Sequence, residues 1–144
     1  MCIRDRHVSD LRVEYSNHEQ VATANQFSLE NPNFLIVKDI HETFYNDVSR
    51  EESAPWVSTL RPQAASAFAS GVTSVAWEHV PCTYIVATGD QAVYLPWQER
   101  MVEEARKAAK HPFKVVRLDN SHSAWLSNPS AVVSVVREAA GENG

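Results

Sequence analysis

Glycine and cysteine are both scarce in this chain, and their scarcity narrows the chemistry that it can support. The 144 residues include four glycines and two cysteines. Loops that bind phosphates or dinucleotides need several closely spaced glycines, and no such cluster occurs. Two cysteines, Cys2 and Cys82, are too few for a disulfide framework. A reducing, cytoplasmic location is therefore expected.

Positive charge and long apolar runs are also lacking. The 13 Lys and Arg residues are outnumbered by 18 Asp and Glu residues, which gives a net charge of −5 with no basic stripe. This balance argues against a nucleic-acid partner. No apolar stretch approaches the length that spans a bilayer, so no membrane partner is expected. The six histidines lack paired ligand spacing, so we expect neither a metal nor another cofactor.

The first half of the chain predicts short, mostly helical elements. Two β-prone runs, Phe27–Leu29 and Phe34–Val37, surround a turn signal and predict a hairpin. Helical patterns follow from residue 40 to residue 76, with breaks expected at Pro55 and Pro62. Ser49, with Glu52 three residues later, predicts a capped helix start because the two side chains can satisfy free backbone amides.

The second half changes to alternating strands and helices. Residues 83–87 and 113–118 are apolar, β-prone runs, and residues 97–110 between them carry an amphipathic helical pattern. A last helix is predicted over 130–140 and ends at Gly141. The β-α-β-α order predicts two parallel neighbouring strands joined by a right-handed crossover.

An acid and a histidine follow these two strands. Thr88-Gly89-Asp90 closes the first strand, and Asp119-Asn120-Ser121-His122 closes the second. Parallel strands bring their carboxyl ends to one edge of a sheet, so Asp90 and His122 are expected to meet there. A carboxylate that holds one imidazole nitrogen leaves the other as a general base. Asp119 is a rival acid, although its position three residues before the histidine is more typical of a turn.

Each of these residues also has a plainer interpretation. An aspartate after glycine is a common turn residue, and a single loop histidine is more often on the surface. Their occurrence together, at matching strand ends, favours the catalytic interpretation. In serine hydrolases of α/β architecture the order is Ser, Asp, His, with the serine on a G-x-S-x-G turn. That turn is absent from these residues.

Longer motifs around these two residues carry a family resemblance. Residues 81–101 contain P-x-x-Y-I, the acid, and a Gln-x-x-Met helix start, and residues 122–129 match H-x-x-x-L-S-x-P. These motifs resemble the methylesterase and hydroxynitrile lyase branch of the α/β-hydrolases and its microbial relatives. Here Tyr94-Leu95 lengthens the loop before Pro96. Upstream, residues 44–47, 56–57 and 76–77 resemble the cap insertion of the microbial relatives.

The resemblance implies the C-terminal part of an α/β-hydrolase fold. Residues 7–80 would form a mostly helical cap with a short hairpin, and residues 81–144 would form the last two core strands with their helices. Residues 1–6 have either a natural or an adapter-encoded origin, and we leave them out of the fold inference. Asp90 would be the triad acid and His122 the base, while the serine and the oxyanion hole would lie upstream.

The resemblance also implies a small carboxylic ester or lactone as substrate. In the cap, apolar rings are candidates for substrate contact, although packing is favoured two to one: Phe44, Trp56, Phe68 and Trp77. Trp125, beyond the histidine, is interpreted as buried scaffold rather than pocket wall, with substrate contact as the alternative. A hydroxynitrile lyase would be expected to have a lysine near the acid, but Gln91 follows Asp90.

One further alternative function and two expectations concern the chain by itself. A non-catalytic hydrolase-like binding protein also fits the sequence, because such proteins can keep an acid and a histidine. Without a nucleophilic serine on a G-x-S-x-G turn, the 144 residues by themselves are expected to have no esterase activity. An unpaired edge of the parallel pair would also favour poor solubility or a homo-oligomer.

Overall fold

The structure is a computed structural model that describes residues 27–28, 34–64, 66–69 and 73–142. The N-terminal residues 1–6 and the turn predicted between the hairpin strands lie outside these ranges. Among the residues that are described, no helix combines the length and the apolar character needed to cross a bilayer.

The first half forms short strands and helices. β1 (Phe27–Ser28) pairs antiparallel with β2 (Phe34–Val37), which in turn pairs with β3 (Gln63–Ala64). The predicted hairpin is confirmed, with Phe27 opposite Val37. The helices of this half are α1 (Ile40–Phe44), α2 (Arg50–Thr59), α3 (Ser66–Ala69) and a 3-10 turn (Ala76–Glu78). β3 lies inside the stretch from residue 40 to residue 76, for which the sequence predicted only helices.

Helix α2 confirms one local prediction and corrects another. The Ser49 hydroxyl accepts from the Glu52 amide at 3.1 Å, and the Glu52 carboxylate accepts from the Ser49 amide at 3.1 Å. This reciprocal cap satisfies two amide donors at the helix start. The break predicted at Pro55 is wrong, because α2 continues through it to Thr59. A proline removes one backbone donor, which the rest of this capped helix tolerates.

The second half has the predicted β-α-β-α order. β4 (Cys82–Ala87) and β5 (Phe113–Leu118) are parallel, in a register that runs from Cys82 opposite Phe113 to Ala87 opposite Leu118. Their crossover contains α4 (Leu95–Ala108), and after β5 come α5 (Ala124–Ser127) and α6 (Pro129–Ala139). The expected architecture is confirmed: two parallel core strands with flanking helices, preceded by a mostly helical part with a short hairpin.

The core lies between β4, α4 and the loops beyond the strands. Val86 and Ala87 are buried on β4, and they are joined by Val102 and Ala105 from the predicted apolar stripe of α4. Met101, an apolar residue of the same helix, is 40% exposed. The end of α6 is as predicted, because Gly141 follows it with a φ of 82°, a left-handed conformation that glycine adopts without strain.

Candidate active site

The parallel strands bring Asp90 and His122 into direct contact. His122 Nδ1 lies 2.9 Å from Asp90 Oδ2. Asp90 follows the buried end of β4, and its side chain is only 7% exposed, whereas the His122 side chain is 34% exposed. A buried carboxylate and a partly accessible imidazole are what a general-base pair requires. The expected meeting at the strand ends is therefore observed.

The second oxygen of Asp90 is held by its own loop. Oδ1 accepts from the amides of Ala92 at 2.7 Å and Val93 at 2.9 Å. Both carboxylate oxygens thus have fixed partners, which sets the direction of the bond to His122. Burial raises the pKa of the Tyr84 phenol, and the negative charge of Asp90 raises it further. The charge of the Asp90 carboxylate therefore affects the Tyr84 phenol as well as the His122 ring.

A buried glutamine fixes the start of the Asp90 loop. The Gln98 side chain, on the first turns of α4, accepts from the Ala87 amide at 3.0 Å and donates to the Ala87 carbonyl at 2.8 Å. The same amide group donates to the Val93 carbonyl at 2.7 Å. Gln98 is 2% exposed, so these bonds are shielded from water. Gln98 therefore holds both ends of the loop that carries Asp90, at Ala87 and at Val93.

Asp119 takes the structural role that its position suggested. Its Oδ1 accepts from the Thr88 hydroxyl at 2.9 Å, which joins the first residues after the two strands. Asp90, not Asp119, is the carboxylate bonded to the His122 ring. The geometry therefore favours Asp90 over its rival as the acid of the pair.

The loop that carries His122 is tied to the segment between α1 and α2. Asp47 Oδ2 accepts from the Ser121 amide, the Asn120 side-chain amide and the Ser127 hydroxyl. Burial raises the pKa of Asp47, but hydrogen bonds from Ser121, Ser127 and Asn120 together outweigh it and hold the pKa below its usual value. The carboxylate is thus stabilised in its ionised form.

The aromatic candidates fall into two groups. The Phe44 ring centroid lies 5.1 Å from that of His122, and the Trp125 ring centroid lies 6.5 Å from it on an edge-to-face approach. Trp125 is 58% exposed, which differs from its interpretation as buried scaffold, because the four-residue helix α5 turns the ring outward. These two rings flank the imidazole.

Among the described rings, those of Trp56 and Trp77 make no contact with the imidazole. The Trp77 carbonyl accepts from the Lys110 amide at 3.1 Å, at the amino ends of β4 and β5, about one strand length from His122. This position favours packing over substrate contact. Trp56 lies on α2 and is 49% exposed. The Phe68 side chain lies outside the description, although its backbone belongs to α3.

None of the described serines is bonded to the His122 ring. Ser121 adjoins the histidine, but its hydroxyl donates to the Phe44 carbonyl at 3.2 Å. A separate serine–histidine contact joins Ser53 to His41 at 2.8 Å, yet Ser53 is 1% exposed and also donates to a carbonyl of its own helix. Within the described part of the chain, His122 Nε2 has no hydrogen-bonding partner and is the nitrogen available for proton transfer.

Two residues of this site had no role in the sequence interpretation. Asp47 and Gln98 both stand in segments that carry the family resemblance, but the motifs alone do not say what the side chains touch. The signal for Gln98 was its place in the first turns of an amphipathic helix, on the buried side. No local pattern connects Asp47 to Asn120, which is 73 residues away.

Comparison with known proteins identifies similar chains. The model of the "Alpha/beta hydrolase family" matches residues 8–135. The alpha/beta hydrolase nvfD of Aspergillus novofumigatus (strain IBT 16806) is 32% identical over 103 residues. A crystal structure of the pyrethroid hydrolase PytH with BIF superposes with a TM-score of 0.63 at 17% identity. At that identity the similarity to PytH concerns the fold.

This chain spans less than half the length of either protein. The match to nvfD covers 72% of this chain and 40% of nvfD. The superposition on PytH covers 84% of this chain and 49% of PytH. The carboxylate of Asp90 and the imidazole of His122 therefore lie in a segment that corresponds to only part of each larger protein.

Proposed function

The chain belongs to the alpha/beta hydrolase family, and from this premise we propose that it contributes the acid and the base of a Ser-His-Asp hydrolase. The proposed reaction is acyl transfer from small carboxylic esters or lactones. One observation carries the proposal: the 2.9 Å contact between His122 Nδ1 and the buried carboxylate of Asp90.

The roles of the two residues follow from this contact. With Nδ1–H donating to Asp90, the imidazole is held in the tautomer whose Nε2 can accept a proton. A serine hydroxyl placed at Nε2 would lose its proton as it attacks the ester carbonyl. His122 would then return that proton to the leaving alkoxide, and Asp90 would stabilise the transient imidazolium. Water would release the acyl group by the same sequence of steps.

The proposal assigns the serine and the oxyanion hole to residues outside these 144. The G-x-S-x-G turn is absent from the sequence, and the chain spans 40% of nvfD. Residues 7–80 would serve as a cap over the pocket, and residues 81–144 as the end of the core. Phe44 supports this arrangement, because it reaches the His122 ring from the first of these segments.

The first experiment is to sequence the coding DNA upstream of codon 7. We expect an in-frame G-x-S-x-G turn there, so that the extended reading frame encodes a complete hydrolase. That protein would then be assayed with p-nitrophenyl acetate and butyrate and with a lactone. His122→Ala should abolish turnover, while His111→Ala, a matched change at an exposed histidine in the turn before β5, should leave it intact.

The same experiment separates the competing functions. Cyanohydrin cleavage without ester hydrolysis would replace the hydrolase by a lyase, and neither activity in a folded protein would favour a binding protein. The 144-residue chain should have no esterase activity of its own. Ester turnover by this chain that is lost in His122→Ala would overturn the assignment of the nucleophile to residues outside it.

A further inference from the structure

Asp47 makes several long-range polar contacts around His122. It lies between α1 and α2, yet its Oδ2 accepts from the Ser121 amide at 2.8 Å, the Ser127 hydroxyl at 2.6 Å and the Asn120 side chain at 3.2 Å. Three donors therefore converge on one carboxylate oxygen from a segment more than 70 residues away in sequence.

These donors surround His122 in the chain. Asn120 and Ser121 directly precede it, and Ser127 ends the short helix α5 that follows it. The loop has no strand or helix of its own at residues 119–121, although Ser121 is 1% exposed and Asn120 is 8% exposed. Buried polar groups without ladder partners need other acceptors. The Asp47 carboxylate accepts hydrogen bonds from residues before and after His122 in the sequence.

The charge on Asp47 makes these bonds stronger than those of a neutral acceptor. Charge-assisted hydrogen bonds are roughly twice as strong as neutral ones. Although burial raises the pKa of Asp47, the donors from Ser121, Ser127 and Asn120 hold it below its usual value, so the carboxylate is ionised at neutral pH. An amide at this position would keep an acceptor oxygen but lose the charge.

The same segment also reaches the imidazole and the Asp90 loop. Phe44, three residues before Asp47, packs its ring against His122 and accepts the Ser121 hydroxyl on its carbonyl. Asn46 donates to the Gly89 carbonyl at 3.2 Å, immediately before Asp90. Residues 44–47 thus contact both loops of the acid–base pair.

We propose that Asp47 is a positioning residue for His122: it fixes the Ser121 amide and the end of α5, and thereby holds the imidazole in register with Asp90. The consequence for catalysis rests on the proposed function, whereas the effect on the ring does not. Asp47 touches no atom of the imidazole in this arrangement and acts through the loop that carries it.

The test compares Asp47→Asn with Asp119→Asn in the 15N-labelled chain. The control neutralises a carboxylate within the histidine loop itself, one that among the described residues accepts from the Thr88 hydroxyl alone. Two signals are measured by NMR: hydrogen exchange of the Ser121 amide, and the resonances of the His122 ring nitrogens. Asp47→Asn should speed Ser121 exchange by about tenfold or more, because the acceptor of the Ser121 amide loses its charge.

The ring signal distinguishes positioning from general stabilisation. In Asp47→Asn the hydrogen-bonded Nδ1 proton should broaden or disappear and the ring nitrogen resonances should change, while Asp119→Asn should keep both as in the wild-type chain. Unchanged Ser121 exchange and an unchanged ring in Asp47→Asn would overturn the proposal. Equal changes in both variants would do the same.

A milder variant covers the case in which Asp47→Asn does not fold. Ser127→Ala removes one donor and leaves the charge of Asp47 and its bond to Ser121 in place. It should produce a smaller change of the same sign in both signals, and no change would contradict the proposal. These measurements need no substrate, so a protein without esterase activity would overturn the proposed function and leave this inference to be judged separately.

Kinetics on the complete protein extend the test to catalysis. Misplacing the base should lower kcat by about tenfold or more in Asp47→Asn, with little change in KM, because reacting groups lose their alignment. A change confined to KM would contradict positioning of the base.

Discussion

Gly89 and Asn120 are in direct backbone contact at the edge of the parallel pair. The Gly89 amide donates to the Asn120 carbonyl at 3.0 Å. A Cβ on residue 89 would lie 3.1 Å from that carbonyl oxygen and 3.4 Å from its carbon. Because Asp90 follows Gly89 and His122 lies two residues beyond Asn120, this close approach sets the separation of the acid and the base.

A methyl group at position 89 should therefore push the two loops apart. Gly89→Ala should lower the free energy of unfolding by about 1–3 kcal/mol, the usual cost of overpacking against a backbone that cannot yield easily. Urea denaturation of the chain measures this change. In the complete protein kcat should fall by more than the loss of folded protein explains. Unchanged stability and activity would show that the Asn120 carbonyl moves aside freely.

The choice between two carboxylates gives a matched pair of variants. Asp90→Asn should reduce kcat of the complete protein by about 10³–10⁴-fold, because the amide no longer holds the imidazole in the required tautomer. Asp119→Asn keeps an acceptor oxygen for the Thr88 hydroxyl and loses only the charge, so it should change kcat by less than about twofold. The reverse order of effects in an ester-hydrolysis assay would assign the acid to Asp119.

Gln98 is expected to be the most sensitive polar residue of α4. Gln98→Leu would leave the buried Ala87 amide without the Gln98 acceptor, while the Ala87 carbonyl would keep only the Asp90 amide as a donor, at 3.3 Å. A buried group without a partner costs about 1–3 kcal/mol, and we expect a loss of that size in the free energy of unfolding. Glu103→Gln, an exposed change on the same helix, is the control and should have no measurable effect in the same denaturation series. Similar stability of both variants would contradict the role of Gln98 in holding the Asp90 loop.

Much of the fold could be predicted because local patterns and tertiary structure agree. Apolar β-prone runs marked β4 and β5, and an amphipathic pattern marked α4 between them. Pro55 shows where local reasoning fails, because the capping box of Ser49 and Glu52 starts a helix that continues past the proline. β3 was missed because it is two residues long and exists only through pairing with β2.

The site was predictable to the extent that strand ends define it. Asp90 and His122 were placed together from topology alone, because neighbouring parallel strands end at the same edge. The partners that orient them are set by tertiary contacts with no sequence period. Asp47 illustrates this, since only the folded chain brings it to Ser121. Trp125 was expected to be buried, and no feature of the short helix α5 indicated that its ring faces outward.

The lowered pKa of Asp47 predicts a specific response to acid. Burial alone would raise this pKa, but hydrogen bonds from Ser121, Ser127 and Asn120 lower it below the ordinary value of 3.8. A carboxyl group whose pKa is depressed in the folded state contributes stability above its unfolded pKa and loses it as the pH falls through the folded value.

Wild type should therefore exceed Asp47→Asn in unfolding free energy at pH 6. The difference should shrink as the pH falls below 3.8, when the protonated carboxyl group resembles the amide. Urea denaturation of both chains from pH 6 to pH 2.5 measures it, and a difference independent of pH would mean that the charge of Asp47 contributes nothing to holding the histidine loop.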